Sequence, residues 1–129
     1  MIFIIGGACQ GKRDFARGLF GLSYEEWERG VADGEKDLPE LAWEKPYLTS
    51  FHQWVRQILA QGEDPAGFVE KVLGAAPEVV VMDEVGCGVV PIERRDRELR
   101  EAVGRAGQAL AARAQQVYRV VCGIPMRLK

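Results

Sequence analysis

The residues best placed to do chemistry form one run, Gly6-Gly7-Ala8-Cys9-Gln10-Gly11-Lys12-Arg13. Glycines let backbone N–H groups converge on phosphate oxygens without side-chain obstruction, and a following helix adds the positive end of its dipole. Lys12 is then placed to reach the β- and γ-phosphates of GTP or ATP as a compact charge. Gly6-x-x-x-x-Gly11-Lys12 matches the P-loop pattern through its lysine. The plainer alternative is a glycine-rich turn with a chance lysine. The pattern next asks for Ser or Thr, whose hydroxyl ligates Mg²⁺. Arg13 stands there instead. A guanidinium cannot ligate a metal, but it pairs directly with phosphate oxygens. The loop is therefore expected to bind phosphate while handling Mg²⁺ poorly.

A second candidate lies at Asp83-Glu84, after the apolar run Val79-Val80-Val81-Met82. A hydrophobic strand ending in carboxylates resembles a Walker B element, where the carboxylate holds Mg²⁺ directly or through water. Asp83 is thus a candidate metal ligand, and Lys12, Asp83 and Glu84 are candidate catalytic groups. The alternative is that Glu84 caps the following loop by accepting N–H bonds. His52, the single histidine, reads as a partly exposed helix residue.

These groups need elements to hold them. Ile2–Ile5 reads as a strand buried on both faces, entering the glycine loop and then a helix sharing Phe15, Leu19 and Leu22 on one face. Ser23 and Glu26 fit a capping box for a second short helix. Residues 30–46 carry no placeable element. Thr49 or Ser50 is expected to cap a helix through Phe51, Trp54, Val55, Ile58 and Leu59, ending at Gly62. Asp64-Pro65 opens another helix, through Phe68, Val69, Val72 and Leu73. Residues 79–82 form the second clear strand, and Val85–Pro91 a loop. A long helix from about Ile92 to Gln115 carries Leu99, Ala102, Val103, Ala106, Leu110 and Ala114 on one stripe. Val117–Cys122 is a third strand, closed by Gly123-Ile124-Pro125. Alternation of strands and helices predicts an α/β fold, a P-loop-like parallel sheet with flanking crossover helices, in a single domain over 1–129.

Composition narrows the function classes. A net charge of −2 on 129 residues supplies no general field for nucleic acid or an acidic membrane. Arg94, Arg95, Arg97 and Arg100 alternate with Glu93, Asp96, Glu98 and Glu101, the pattern of a solvated helix face. Cys9, Cys87 and Cys122 make neither a disulfide framework nor a zinc spacing, and are expected reduced, in or near a core. The apolar run at residues 1–5 is too short for a signal peptide or a membrane span, so a cytoplasmic location is expected. A homo-oligomer is compatible with all of this.

Taken with the C-terminal third, the glycine loop resembles that of bifunctional adenosylcobinamide kinase/adenosylcobinamide-phosphate guanylyltransferases. The resemblance rests on Gly6-Gly7-Ala8-x-x-Gly11-Lys12 and Glu84-Val85-Gly86-x-Gly88-Val89-Val90-Pro91. It continues through Arg100-Glu101-x-x-Gly104-x-x-Gly107-Gln108-x-Leu110-Ala111 and ends on Val120-Val121-x-Gly123-Ile124-Pro125-x-x-Leu128-Lys129. It implies a P-loop fold, GTP or ATP as nucleotide, a cobinamide-like substrate and a place in cobalamin assembly. In that family the middle region carries a guanylyl-accepting histidine followed by arginines. Here that pattern is missing around His52, Asn before Glu84 becomes Asp83, and only Tyr47-Leu48-Thr49 remains of an Asp-Cys-Leu-Thr-like strand. The chain is expected to be shorter than the family norm in this region. Phosphoryl transfer is the activity implied, with a non-catalytic nucleotide-binding or scaffold protein as the competing reading. A P-loop protein acting on another small hydroxyl substrate is the third.

Overall fold

The computed structural model describes residues 1–86 and 93–129. Six strands form one sheet in the order β2-β3-β4-β1-β5-β6. They are β1 Ile2–Gly6, β2 Val31–Asp33, β3 Tyr47–Thr49, β4 Val79–Asp83, β5 Gln116–Val121 and β6 Ile124–Arg127. The first five run parallel and β6 turns back antiparallel along β5. The helices are α1 Lys12–Leu19, α2 Tyr24–Gly30, α3 Phe51–Ala60, α4 Pro65–Ala75 and α5 Arg94–Arg113. This is the expected α/β architecture, P-loop-like, with helices on both faces of the sheet.

Alternation along the central strands builds two cores. Phe3, Val80, Met82 and Val117 face α3, α4 and α5, where Trp54, Val55, Val72, Val103 and Leu110 are buried. Ile4, Val79, Val81 and Val120 face the other way, against Ala16 of α1 and Trp27 of α2. A strand buried on both faces must be apolar at every position, which is why β1 and β4 read so clearly. The capping box at Ser23 and Glu26 forms, as does the Asp64 cap on the Ala66 N–H. The α5 stripe is buried from Leu99 to Leu110.

Several expectations change. Leu19 is exposed, and the buried positions of α1 are Lys12 and Ala16. Residues 30–46 hold β2 and a short 3₁₀ turn, Pro39–Trp43. Both are too short to show a periodicity. Ile124 and Pro125 do not close a strand but begin β6, an edge strand exposed along its length. Cys9 and Cys122 are exposed rather than in the core, because both sit in turns at positive φ, 58° and 50°. The loop residues after Gly86, with Cys87 and the helix start at Ile92, lie outside the described residues.

Gly34 ties the sheet edge to α3. Its N–H donates to the Thr49 carbonyl at 2.9 Å. A β-carbon there would collide with the Ser50 carbonyl oxygen and crowd the Trp54 ring. Backbone cannot yield cheaply, so Gly34→Ala should destabilise the fold by about 1–3 kcal/mol. A shifted urea midpoint at constant m-value would show it, and an unchanged midpoint would refute it.

Candidate phosphate site

Parallel strands place their carboxyl ends together, where ligands of such sheets bind. Gly6 pairs beside Asp83, and Asp33 beside Thr49. Four neighbouring strand ends thus deliver Gly6, Asp83, Thr49 and Asp33 to one edge. A cleft of about 560 Å³ opens over them, lined by residues 8–14 with Glu35, Thr49, Ser50, Val81 and Asp83.

The loop is shaped by its glycines. At Gly6, φ is 153° and a β-carbon would run into the Val120 carbonyl oxygen. Gly11 caps α1 at φ 91°. Ala8 and Cys9 line the cleft. The Gln10 side chain is turned outward to the β5–β6 turn, where its amide oxygen accepts the Cys122 N–H at 2.7 Å. Its carbonyl accepts the Gly123 N–H at 2.8 Å. Gln10 therefore anchors the loop through both its backbone carbonyl and its side-chain oxygen.

Lys12 opens α1 and is 5% exposed. Its Nζ donates to the Gly7 carbonyl and pairs with Asp83 Oδ1 at 2.7 Å. Asp83 Oδ2 lies 3.6 Å from His52 Nε2, and the Asp83 N–H donates to His52 Nδ1 at 3.2 Å. His52 is thus not the partly exposed helix residue expected. It is 6% exposed because the first turn of α3 carries it under the end of β4. Burial lowers its pKa from the usual 6.5; Asp83 and Glu35 oppose the shift, while Arg56 and Lys12 add to it.

Arg13 reaches across the cleft. Its Nε donates to Thr49 Oγ1 at 3.0 Å and its Nη2 to Ser50 Oγ at 2.7 Å. The same Nη2 lies 3.2 Å from Asp33 Oδ2 and 3.9 Å from Glu35 Oε2. Ser50 stands at the N-cap position of α3 in a left-handed conformation and gives no side-chain cap bond. Its hydroxyl serves Arg13 instead. Asp33 is buried, its Oδ1 accepting the Glu35 N–H at 3.0 Å. Asp33, Glu35, Thr49 and Ser50 are site residues that the sequence reading does not reach. The one signal, Asp33 before Gly34, reads from sequence as a turn.

Glu84 takes a different place. Its carboxylate receives two bonds from Arg119 of β5, at 2.8 and 3.2 Å. It lines a neighbouring, more apolar groove with Met82, Val103 and Gly107, not the cleft over the glycine loop. Lys12 and Asp83 are brought together. Glu84 stands apart from them.

Two relatives are the bifunctional adenosylcobalamin biosynthesis proteins CobU of Escherichia coli (strain K12) and Salmonella typhimurium (strain LT2). Each is 46% identical over 54 residues, covering 42% of this chain and 30% of the relative. The match thus spans less than a third of those proteins. The model of the cobinamide kinase / cobinamide phosphate guanyltransferase family matches residues 42–128. That stretch includes Thr49, Ser50, His52, Asp83 and Glu84; the glycine loop precedes it and stands on its own geometry. Matched over more than half its length, this chain belongs to the cobinamide kinase / cobinamide phosphate guanyltransferase family.

Proposed function

We propose that the chain binds the phosphates of GTP or ATP at Gly6–Arg13 and transfers a phosphoryl group to a cobinamide-type hydroxyl. The observation that carries this reading is the buried Lys12 ammonium, held at the mouth of a glycine loop by Asp83 at 2.7 Å. Phosphoryl transfer asks little covalent chemistry of a protein beyond positioning and charge stabilisation. Backbone N–H groups of the loop would hold the phosphates, and Lys12 would meet the charge on the transferred group. Asp83, released from Lys12, would accept the bond from the acceptor hydroxyl. Glu84, tied to Arg119, would shape the strand end. The network around Arg13 favours a second reading, a nucleotide-binding protein without catalysis. Calorimetry with GTP and ATP followed by a cobinamide phosphorylation assay separates the two.

Losing one charge-assisted contact costs about 1.5–3 kcal/mol, so Lys12→Ala should weaken nucleotide binding roughly ten- to a hundredfold. Equal affinity in both proteins would sink the assignment of the loop.

Guanylyl transfer through a covalent histidine finds no support at His52. A nucleophilic imidazole needs a free lone pair, yet Nδ1 accepts the Asp83 N–H and the proton on Nε2 faces Asp83. Incubation with radiolabelled GTP should leave the denatured protein unlabelled. Acid-labile label that vanishes in His52→Gln would show the opposite.

The same burial makes a pH prediction. A histidine whose folded pKa lies below its unfolded value favours the fold while neutral. That stability is present in full above about pH 6.5 and is lost as pH falls toward the folded pKa. Scanning calorimetry should show Tm dropping through this acid range, and the drop should shrink in His52→Gln. Parallel curves for the two proteins would contradict it.

A further inference from the structure

The P-loop pattern implies a divalent cation beside the lysine, held by a hydroxyl after it and a carboxylate at a strand end. The donor set here does not fit one. The hydroxyl position is Arg13, and its guanidinium already engages Thr49 Oγ1, Ser50 Oγ and Asp33 Oδ2. The other strand-end carboxylate, Asp83, is paired with Lys12. Among the described residues, no group of three or more His, Cys, Asp or Glu side chains is arranged to hold a metal.

We infer that the Arg13 guanidinium stands in place of the divalent cation, so that the cleft receives nucleotide phosphates without Mg²⁺ at this position. The inference rests on the phosphate-binding reading above. Three features carry it. Asp33 is only 4% exposed, and a carboxylate so buried needs a cationic partner. Arg13 supplies a charge that is permanent and cannot be chelated away. Its planar fork also claims both hydroxyls, Thr49 and Ser50, that oxygen-seeking Mg²⁺ would need. A divalent ion placed among the same oxygens would meet the guanidinium's positive charge. The cation is built into α1, one residue past the lysine.

Removing Arg13 should then create the site it replaces. In Arg13→Ser, a new hydroxyl joins Asp33, Thr49 and Ser50, and the buried carboxylate is left without its cation. Millimolar Mg²⁺ should raise the Tm of Arg13→Ser measurably and leave the wild type unmoved, with no nucleotide present. Calorimetry of GTP and ATP in EDTA and in Mg²⁺ gives the second readout. Wild-type affinity should differ less than about threefold between the two, and that of Arg13→Ser by about tenfold or more. Arg13→Lys, which keeps a charge, should behave as the wild type. Should Arg13→Ser not fold, Arg13→Gln replaces it, with the same Mg²⁺ response expected. Tight wild-type binding only with Mg²⁺, unchanged in these variants, overturns the inference while leaving the phosphate site intact. If the wild type binds neither nucleotide, the phosphate reading fails, and the Mg²⁺ effect on Tm alone decides the role of Arg13. Equal Tm responses in wild type and variant would then count against it.

Discussion

Everything at the carboxyl edge of the sheet depends on burying one ammonium. Lys12 is almost fully enclosed, and a charge out of water is stable only where partners replace its hydration. The Gly7 carbonyl and Asp83 carboxylate do so. That demand fixes the neighbours. Asp83 must end β4 in register with Gly6, so β4 must pair directly with β1. Gly6 must lack a side chain because the Val120 carbonyl of β5 occupies the space. The central three strands are thus determined from both sides by one loop.

The loop is also held from beyond the parallel strands. Gln10 bonds the β5–β6 turn through both its carbonyl and its side chain. The β6 hairpin, exposed along its length, therefore contributes a support to the site rather than core volume. On the opposite edge, Arg13 binds the ends of β2 and β3. Those strands have three residues each, too few to stabilise pairing by themselves. An ion pair and two hydrogen bonds from α1 close that edge.

This division explains what could be read from sequence. β1, β4 and the α5 stripe are long enough for burial to leave a pattern, and Gly6-x-x-x-x-Gly11-Lys12 carries its chemistry in consecutive residues. The partners of Arg13 do not. Asp33, Thr49 and Ser50 lie 20 to 37 positions away along the chain and meet it only after two short strands have paired. His52 misled for a related reason. A lone histidine beside Phe51 and Trp54 has no local feature to show that its helix passes beneath a strand end. Glu84 shares a candidate catalytic role with Asp83 in the sequence, but it follows the last residue of β4, and alternation along an extended chain sends adjacent side chains to opposite sides. One side chain meets Lys12 and the other meets Arg119.

The two cations at the start of α1 have different freedom, and that difference bears on how the site works. Asp83 is partly open to solvent, with its side chain 29% exposed, whereas that of Asp33 is 5% exposed. Lys12 can therefore leave Asp83 for the proposed phosphate at modest cost, because water can solvate the carboxylate it abandons. Arg13 cannot leave Asp33 on the same terms, since the buried carboxylate has no water to turn to. On the proposed reading, an arriving phosphate takes the place of Asp83 on Lys12. On that reading the backbone N–H groups of the loop and the start of α1 add their contacts to the one made by Lys12. If the loop binds phosphate as proposed, Lys12 is the charge that turns to the ligand, and Arg13 the one that holds the cleft together.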